Sequence, residues 1–159
     1  MGQFPQLIQE DLDQLNVVMG ELLAKSEAHV ALLVEKAGYL IHQCGNPASM
    51  DTTTFATLGS NAYNAVQFMA SLVNENNLSS MYQQGENFST LMVNVDENAL
   101  LVVVFGTHLT VGSMKYYAGP AAKRIAEQIH VAAGRADAHG LDLSDLNVAD
   151  AQGLFQKRD

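Results

Sequence analysis

From Thr52 to Asn74 the chain carries no charged residue, yet the stretch has clear helical periodicity. Phe55, Leu58, Ala62, Ala65, Met69 and Leu72 alternate at steps of three and four, which predicts a core stripe. One position on, Ala56, Gly59, Tyr63, Val66, Ala70 and Val73 form a second apolar stripe containing small residues. The remaining face, Thr53, Thr57, Ser60, Asn64, Gln67 and Ser71, is polar without charge. A helix docked only on its own domain needs one apolar stripe and usually turns Lys and Glu to water. A second stripe and a charge-free outer face therefore fit a helix with a further packing partner. A helix wedged inside one domain would lose its charges too, so the pattern alone leaves both arrangements open. Asn61, Asn64, Gln67, Ser60 and Ser71 interrupt the apolar length too often for a membrane span.

The rest of the chain supports a globular domain. It has 159 residues, 48% hydrophobic and 16% charged, enough for one core. A net charge of −9 and a pI near 4.8 argue against nucleic acid or an anionic membrane surface as partner. Cys44 is the lone cysteine, so no intrachain disulfide forms, which suits a reducing cytoplasm. The start lacks the basic region of a secretory signal, and Glu10, Asp11 and Asp13 arrive early.

Periodicity gives the element order. Ile8, Leu12, Leu15, Met19 and Leu22 predict a first helix to about Ser26. AHVALLVE and YLIHQC predict two strands joined at Gly38. Asp51 or Thr52 caps the charge-free helix. LSSMYQQG, FSTLMVNV and ALLVVVF predict three further strands, the last apolar enough to be covered on both faces. LSSMYQQG is polar, uncharged and free of proline, so at a sheet edge it lacks the usual protection against pairing with another copy. A last helix is expected from Val111 to Gly134, kinked or interrupted at Gly119–Pro120. Beyond it the acidic segment 137–159 is expected to be a loosely docked tail, with Ser144 capping a short helix toward Phe155. The expected fold is α+β: a single five-stranded antiparallel sheet with helices on both faces, in the order α-β-β-α-β-β-β-α, over residues 1–136.

Chemistry-bearing patterns are sparse. No P-loop, dinucleotide fingerprint or nucleophile elbow occurs. His29, His42, His108, His130 and His139 lack metal-ligand spacing. Asp96 and Glu97 sit in a turn, where solvated carboxylates are expected. No catalytic residue, metal or cofactor is predicted.

The ordered set VALLVEKAGYLIHQCG, DTTTFATLGSNAYNAVQFMASLV and QQGENFSTLMVNVDENALLVVVFGTHLTVGSMKYY resembles the Roadblock family of dynein-light-chain-like proteins, and within it the bacterial Mgl-type regulators of small Ras-like GTPases. The resemblance runs from Val30 to about Ile129 and rests on the order of segments, not on one motif. It implies a cytoplasmic homodimer in which the third strands pair and the second helices pack together. That places Ser79, Met81 and Gln83 of the strand, and Ala56, Gly59, Tyr63, Val66 and Ala70 of the helix, at the dimer interface. It further implies a small Ras-like GTPase on the helix pair, met by Thr53, Thr57, Ser60, Asn64, Gln67 and Ser71. Mgl-type relatives stimulate GTP hydrolysis without an arginine finger, and this chain has no arginine before Arg124.

Two other classes compete with this reading. A dimeric acidic secretion chaperone would bind a disordered client through apolar grooves. A small-molecule enzyme or sensor would need a pocket of converging polar groups, for which the sequence offers no candidate.

Overall fold

The computed structural model describes residues 2–155, the side chains at 136 and 139–155 excepted. Helix α1 (Gln9–Ser26) is followed by β1 (Val30–Glu35), β2 (Leu40–Gly45), α2 (Thr52–Ser71), β3 (Ser80–Gln84), β4 (Phe88–Asn94), β5 (Ala99–Gly106) and α3 (Val111–Phe155). The five strands form one sheet in the order β2-β1-β5-β4-β3, every neighbouring pair antiparallel. The predicted element order and fold class are those observed.

Alternation along the central strands explains the layers. Ala31 and Leu33 of β1, with Leu101, Val103 and Phe105 of β5, face α1 and α3. Val30, Leu32 and Val34, with Leu100 and Val102, face α2. Both faces of β1 and β5 are covered, so these strands read as continuous apolar runs. On the two-helix side, Leu15, Met19 and Leu22 of α1 meet Met114, Ala118, Ile125 and Ile129 of α3 over the sheet. At the β1–β2 turn Gly38 has φ +111°, a conformation that side-chain-bearing residues avoid.

Asp11 ties that side together. Its carboxylate is fully buried, yet it accepts from the Ile8 N–H, from Gln128 Nε2 and from both Arg135 guanidinium nitrogens, at 2.7–3.2 Å. The Arg135 hydrogen bonds, with those from Ile8 and Gln128, outweigh desolvation and hold its pKa at about 2.

Three expectations need correction here. Helix α3 is continuous through Gly119–Pro120, so of the kink or interruption expected there the interruption does not occur. It also does not stop at Gly134: Arg135, one residue on, is still helical and pairs with Asp11. The compositional boundary at 136 and Ser144 both fall inside a helix that reaches Phe155, and the segment 156–159 lies outside the described residues.

Candidate interaction surface

Helix α2 begins at Asp51, whose side chain accepts from the Thr54 N–H at 3.1 Å and the Thr54 hydroxyl at 2.6 Å. These bonds hold the Asp51 carboxyl below the usual carboxylate range. The helix lies on the sheet through Ala56, Gly59, Ser60 and Tyr63, all buried. Gly59 allows the close approach: a Cβ there would come within 3.1 Å of Met92 Cε. Burial raises the Tyr63 pKa, and its hydroxyl donates to the Leu78 carbonyl.

The two apolar stripes thus change places relative to the sequence reading. The expected core stripe faces outward: Leu58 is 63% exposed, Met69 65% and Leu72 71%, with Ala62 and Ala65 exposed between them. Of its members only Phe55 is partly covered. Ala56, Gly59 and Tyr63, expected at a dimer interface, are already buried by their own sheet, and Val66 and Ala70 are half-buried. Hydrophobicity alone could not decide between stripes one position apart. The usable signal was size and chemistry: the stripe with Gly59 fits a flat sheet, and the Tyr63 hydroxyl can end on a backbone carbonyl at the core's margin.

The polar stripe is largely committed to the chain's own backbone. The Thr57 hydroxyl donates to the Gly38 carbonyl at 3.0 Å. Asn64 Nδ2 donates to the Lys36 carbonyl at 2.9 Å. Gln67 donates to the Asn76 carbonyl and accepts from the Leu78 N–H, at 3.2 and 3.3 Å. Ser60 is fully buried and bonded to the Thr57 carbonyl, so it is not contact surface. Ser71 donates to the Phe68 carbonyl. Thr53, Thr57, Asn64 and Ser71 remain exposed. A lack of charge along this flank follows from these bonds, because amides and hydroxyls pair with carbonyls without desolvating an ion.

These staples fix the tip of the β1–β2 hairpin beside α2 and present Tyr39 at 69% exposure. Beneath the tip, Lys36 Nζ donates to Asn94 Oδ1 at 2.6 Å and the Asp96 carbonyl at 2.7 Å, 5.6 Å from the centre of the Tyr63 ring. Desolvation lowers the Lys36 pKa, partly offset by Asp96 and Glu97.

Strand β3 lies at the sheet edge, as expected. Ser79 accepts from the Asn94 N–H, and Gly85 donates to the Phe88 carbonyl, both at 2.9 Å. The alternation of an antiparallel ladder then turns the backbone groups of Ser80, Tyr82 and Gln84 outward. Ser79, Met81 and Gln83, expected at the edge, instead direct their backbone toward β4, and the Met81 side chain joins the α2-side core. Between α2 and the open sheet lies a cleft of ≈ 450 Å³ whose walls include His29, Phe55, Gln83, Phe88, Thr90 and Val104.

Elsewhere the chemistry is quiet. Cys44 Sγ lies 3.1 Å from Asn16 Oδ1 and 3.9 Å from His42 Nε2. Burial raises the Cys44 pKa and lowers that of His42, the opposite of an activated thiolate–imidazolium pair. Among the described residues no group of three or more His, Cys, Asp or Glu is placed to hold a metal. Among them, too, no helix is long and apolar enough to cross a membrane.

The Roadblock/LC7 domain model matches residues 15–105, more than half of the chain, and the chain belongs to that family. Its fold is similar to that of MglB solved in a tetrameric arrangement, with 26% identity and a TM-score of 0.77 over 83% of this chain and 99% of that one. The gliding protein MglB of Thermus thermophilus shares 25% identity, with a TM-score of 0.75 over 82% of this chain and 98% of that one. Myxococcus xanthus MglB shares 26%, with a TM-score of 0.74 over 80% and 96%. No curated protein sequence matches the chain.

Proposed function

We propose that this protein is a cytoplasmic homodimeric regulator that binds a small Ras-like GTPase and itself carries no catalytic residue. The observation that carries the reading is the asymmetry of α2. One flank is stapled to its own hairpin, while the other exposes Leu58, Met69 and Leu72, on a sheet whose terminal strand β3 has an open edge. An exposed apolar stripe beside an unpaired strand is an interface pattern. Family membership and the similarity to MglB supply the class of partner.

In this reading the apolar flank serves the second copy. The GTPase meets the exposed remainder of the polar flank, Thr53, Thr57, Asn64 and Ser71, together with Tyr39 at the hairpin tip. Tyr39 is an aromatic side chain on a turn already held by hydrogen bonds, so ordering it on binding costs little. Stimulation of hydrolysis would come from binding one switch conformation of the GTPase more tightly, leaving its own side chains to position the water.

Size exclusion with light scattering tests this, run on the protein alone and with the host's small Ras-like GTPase loaded with GTP analogue or GDP. Co-elution of a dimer with the GTP-like form is expected, followed by faster hydrolysis in a turnover assay. A protein that ignores the GTPase in both states, or that recovers a disordered client instead, would overturn the partner assignment.

A further inference from the structure

Residues directly opposite one another on four strands build the floor of the cleft beside α2. Gln83 of β3 pairs with Thr90 of β4, Thr90 with Val104 of β5, and Val104 with Val30 of β1. Opposed side chains share a face, and Val30 and Val104 place this row on the α2 side. The floor therefore changes character along its length, polar at Gln83 and Thr90 and apolar at Val104 and Val30. Phe55, Met50 and Phe88 add apolar walls to a volume of ≈ 450 Å³, within the range of small-molecule pockets. The rim formed by the loop after β2 is held in place: Asn46 Oδ1 accepts from the Ala48 N–H at 2.9 Å, and the Met50 N–H donates to the Pro47 carbonyl at 3.0 Å.

Thr90 is the informative residue. It is only 8% exposed, and among the described residues its hydroxyl takes part in no hydrogen bond. No polar side-chain atom sealed from solvent lacks a partner among those residues, so the exposure Thr90 keeps opens on the cleft it lines. A covered hydroxyl without a protein partner has given up hydrogen bonding to water and has gained nothing in exchange. The Gln83 amide stands opposite it, also unbonded among the described residues, and each of the two groups can both donate and accept. Charge is missing as well. In a chain of net charge −9, no Asp, Glu, Lys or Arg lines this cleft. An ion entering it would lose water and meet no counter-charge.

We propose that this cleft binds a small uncharged heterocycle carrying an amide edge, a ring N–H beside a carbonyl. The edge meets the Gln83 amide and the Thr90 hydroxyl, and the flat body of the ring lies on Val104 and Val30 under Phe55. From Thr90 to Val30 is two strand spacings, about 10 Å, which suits a fused bicycle. The site goes beyond the GTPase reading and depends on neither that partner nor the homodimer. Its polar pair lies on two strands of one hairpin, and only the hairpin register brings the pair together.

Chemical-shift mapping on the full chain tests this, with carbostyril as the probe, a neutral fused bicycle whose ring N–H adjoins its carbonyl. Saturable shifts centred on Gln83, Thr90, Val104 and Phe55 are expected, with a Kd on the order of 0.1–1 mM. N-methylcarbostyril, which lacks the N–H, should bind roughly fivefold or more weakly. Naphthalene carboxylate, a fused bicycle bearing a charge, should not saturate over the same range. Thr90→Val should weaken carbostyril by roughly fivefold or more, with the unfolding midpoint equal or higher, because the methyl replaces a hydroxyl that has no partner in the fold. A lower midpoint would show that the hydroxyl serves the fold, and unchanged binding would show that it does not meet the probe; either result overturns the assignment. Should Thr90→Val fail to fold, Gln83→Ala, at an exposed position, is expected to give the same loss of binding. Shifts that do not saturate at these residues, or equal binding of all three probes, overturn the proposal.

Discussion

The two faces of the sheet are finished to different degrees. On one face, α1 and α3 cover the strands, bury each other's apolar sides and meet around a fully paired carboxylate at Asp11. On the other face α2 works alone. It covers part of the strands, leaves a cleft beside Phe55, and turns Leu58, Met69 and Leu72 to the outside. The first face closes on itself and fixes the fold, whereas the second keeps exposed apolar side chains, and it is there that the proposed recognition falls.

That division can be broken most severely at Asp11. Asp11→Ala leaves Arg135 and the Ile8 N–H without their acceptor and is expected to cost about 3 kcal/mol of unfolding free energy, measured by urea denaturation of the dissociated chain. On the open face, Met69→Asp places a charge in the proposed helix pair. It should weaken dimerisation by roughly 30-fold or more, measured by analytical ultracentrifugation, with the monomer's unfolding midpoint nearly unchanged.

Acid sharpens the same comparison. The Asp11 carboxyl titrates at about 2 in the folded chain against a reference value of 3.8. Its contribution is therefore fully present above the reference value and is lost as pH falls through the folded one, a total of about 2 kcal/mol. Stability measured between pH 5 and pH 2 should fall by that component in the parent, and Asp11→Asn should remove it from the slope. The smallest effect belongs to the staples. Tyr63→Phe deletes the bond to the Leu78 carbonyl, and Gln67→Ala deletes bonds to Asn76 and Leu78. Each is expected to cost about 1 kcal/mol, with faster amide exchange confined to the segment entering β3.

Much of the first face was legible in the sequence. The spacing of Leu15, Met19 and Leu22 leads directly to buried positions, and the continuously apolar run Leu100–Phe105 to a strand covered on both faces. The edge placement of β3 was implied by the family resemblance; its polar, charge-free residues say only that such an edge would be unprotected. The second face was misread because its helix has two apolar stripes, and periodicity does not say which one a sheet receives. Gly59 lies against Met92 on the stripe that docks, and that contact involves a strand distant in sequence. The same limit applies to the polar stripe: its residues were picked out, but their bonds to Lys36, Gly38 and Asn76 exist only once the hairpin and the β3 approach are in place. Helix α3 runs past its predicted end, and the Arg135–Asp11 pair just beyond that end joins positions 124 apart, a contact no local pattern announces.

The staples on α2 have a consequence for how such a protein diversifies. Thr57, Asn64, Gln67 and Tyr63 all grip main-chain carbonyls, those of Gly38, Lys36, Asn76 and Leu78. A carbonyl is supplied by every amino acid. Side chains such as Tyr39 and Asn77, on the gripped segments, can therefore drift while the helix still finds its anchors. Gene duplication acting on this chain could yield paralogues with different partners and the same frame, each new specificity written on a turn whose shape is set from elsewhere.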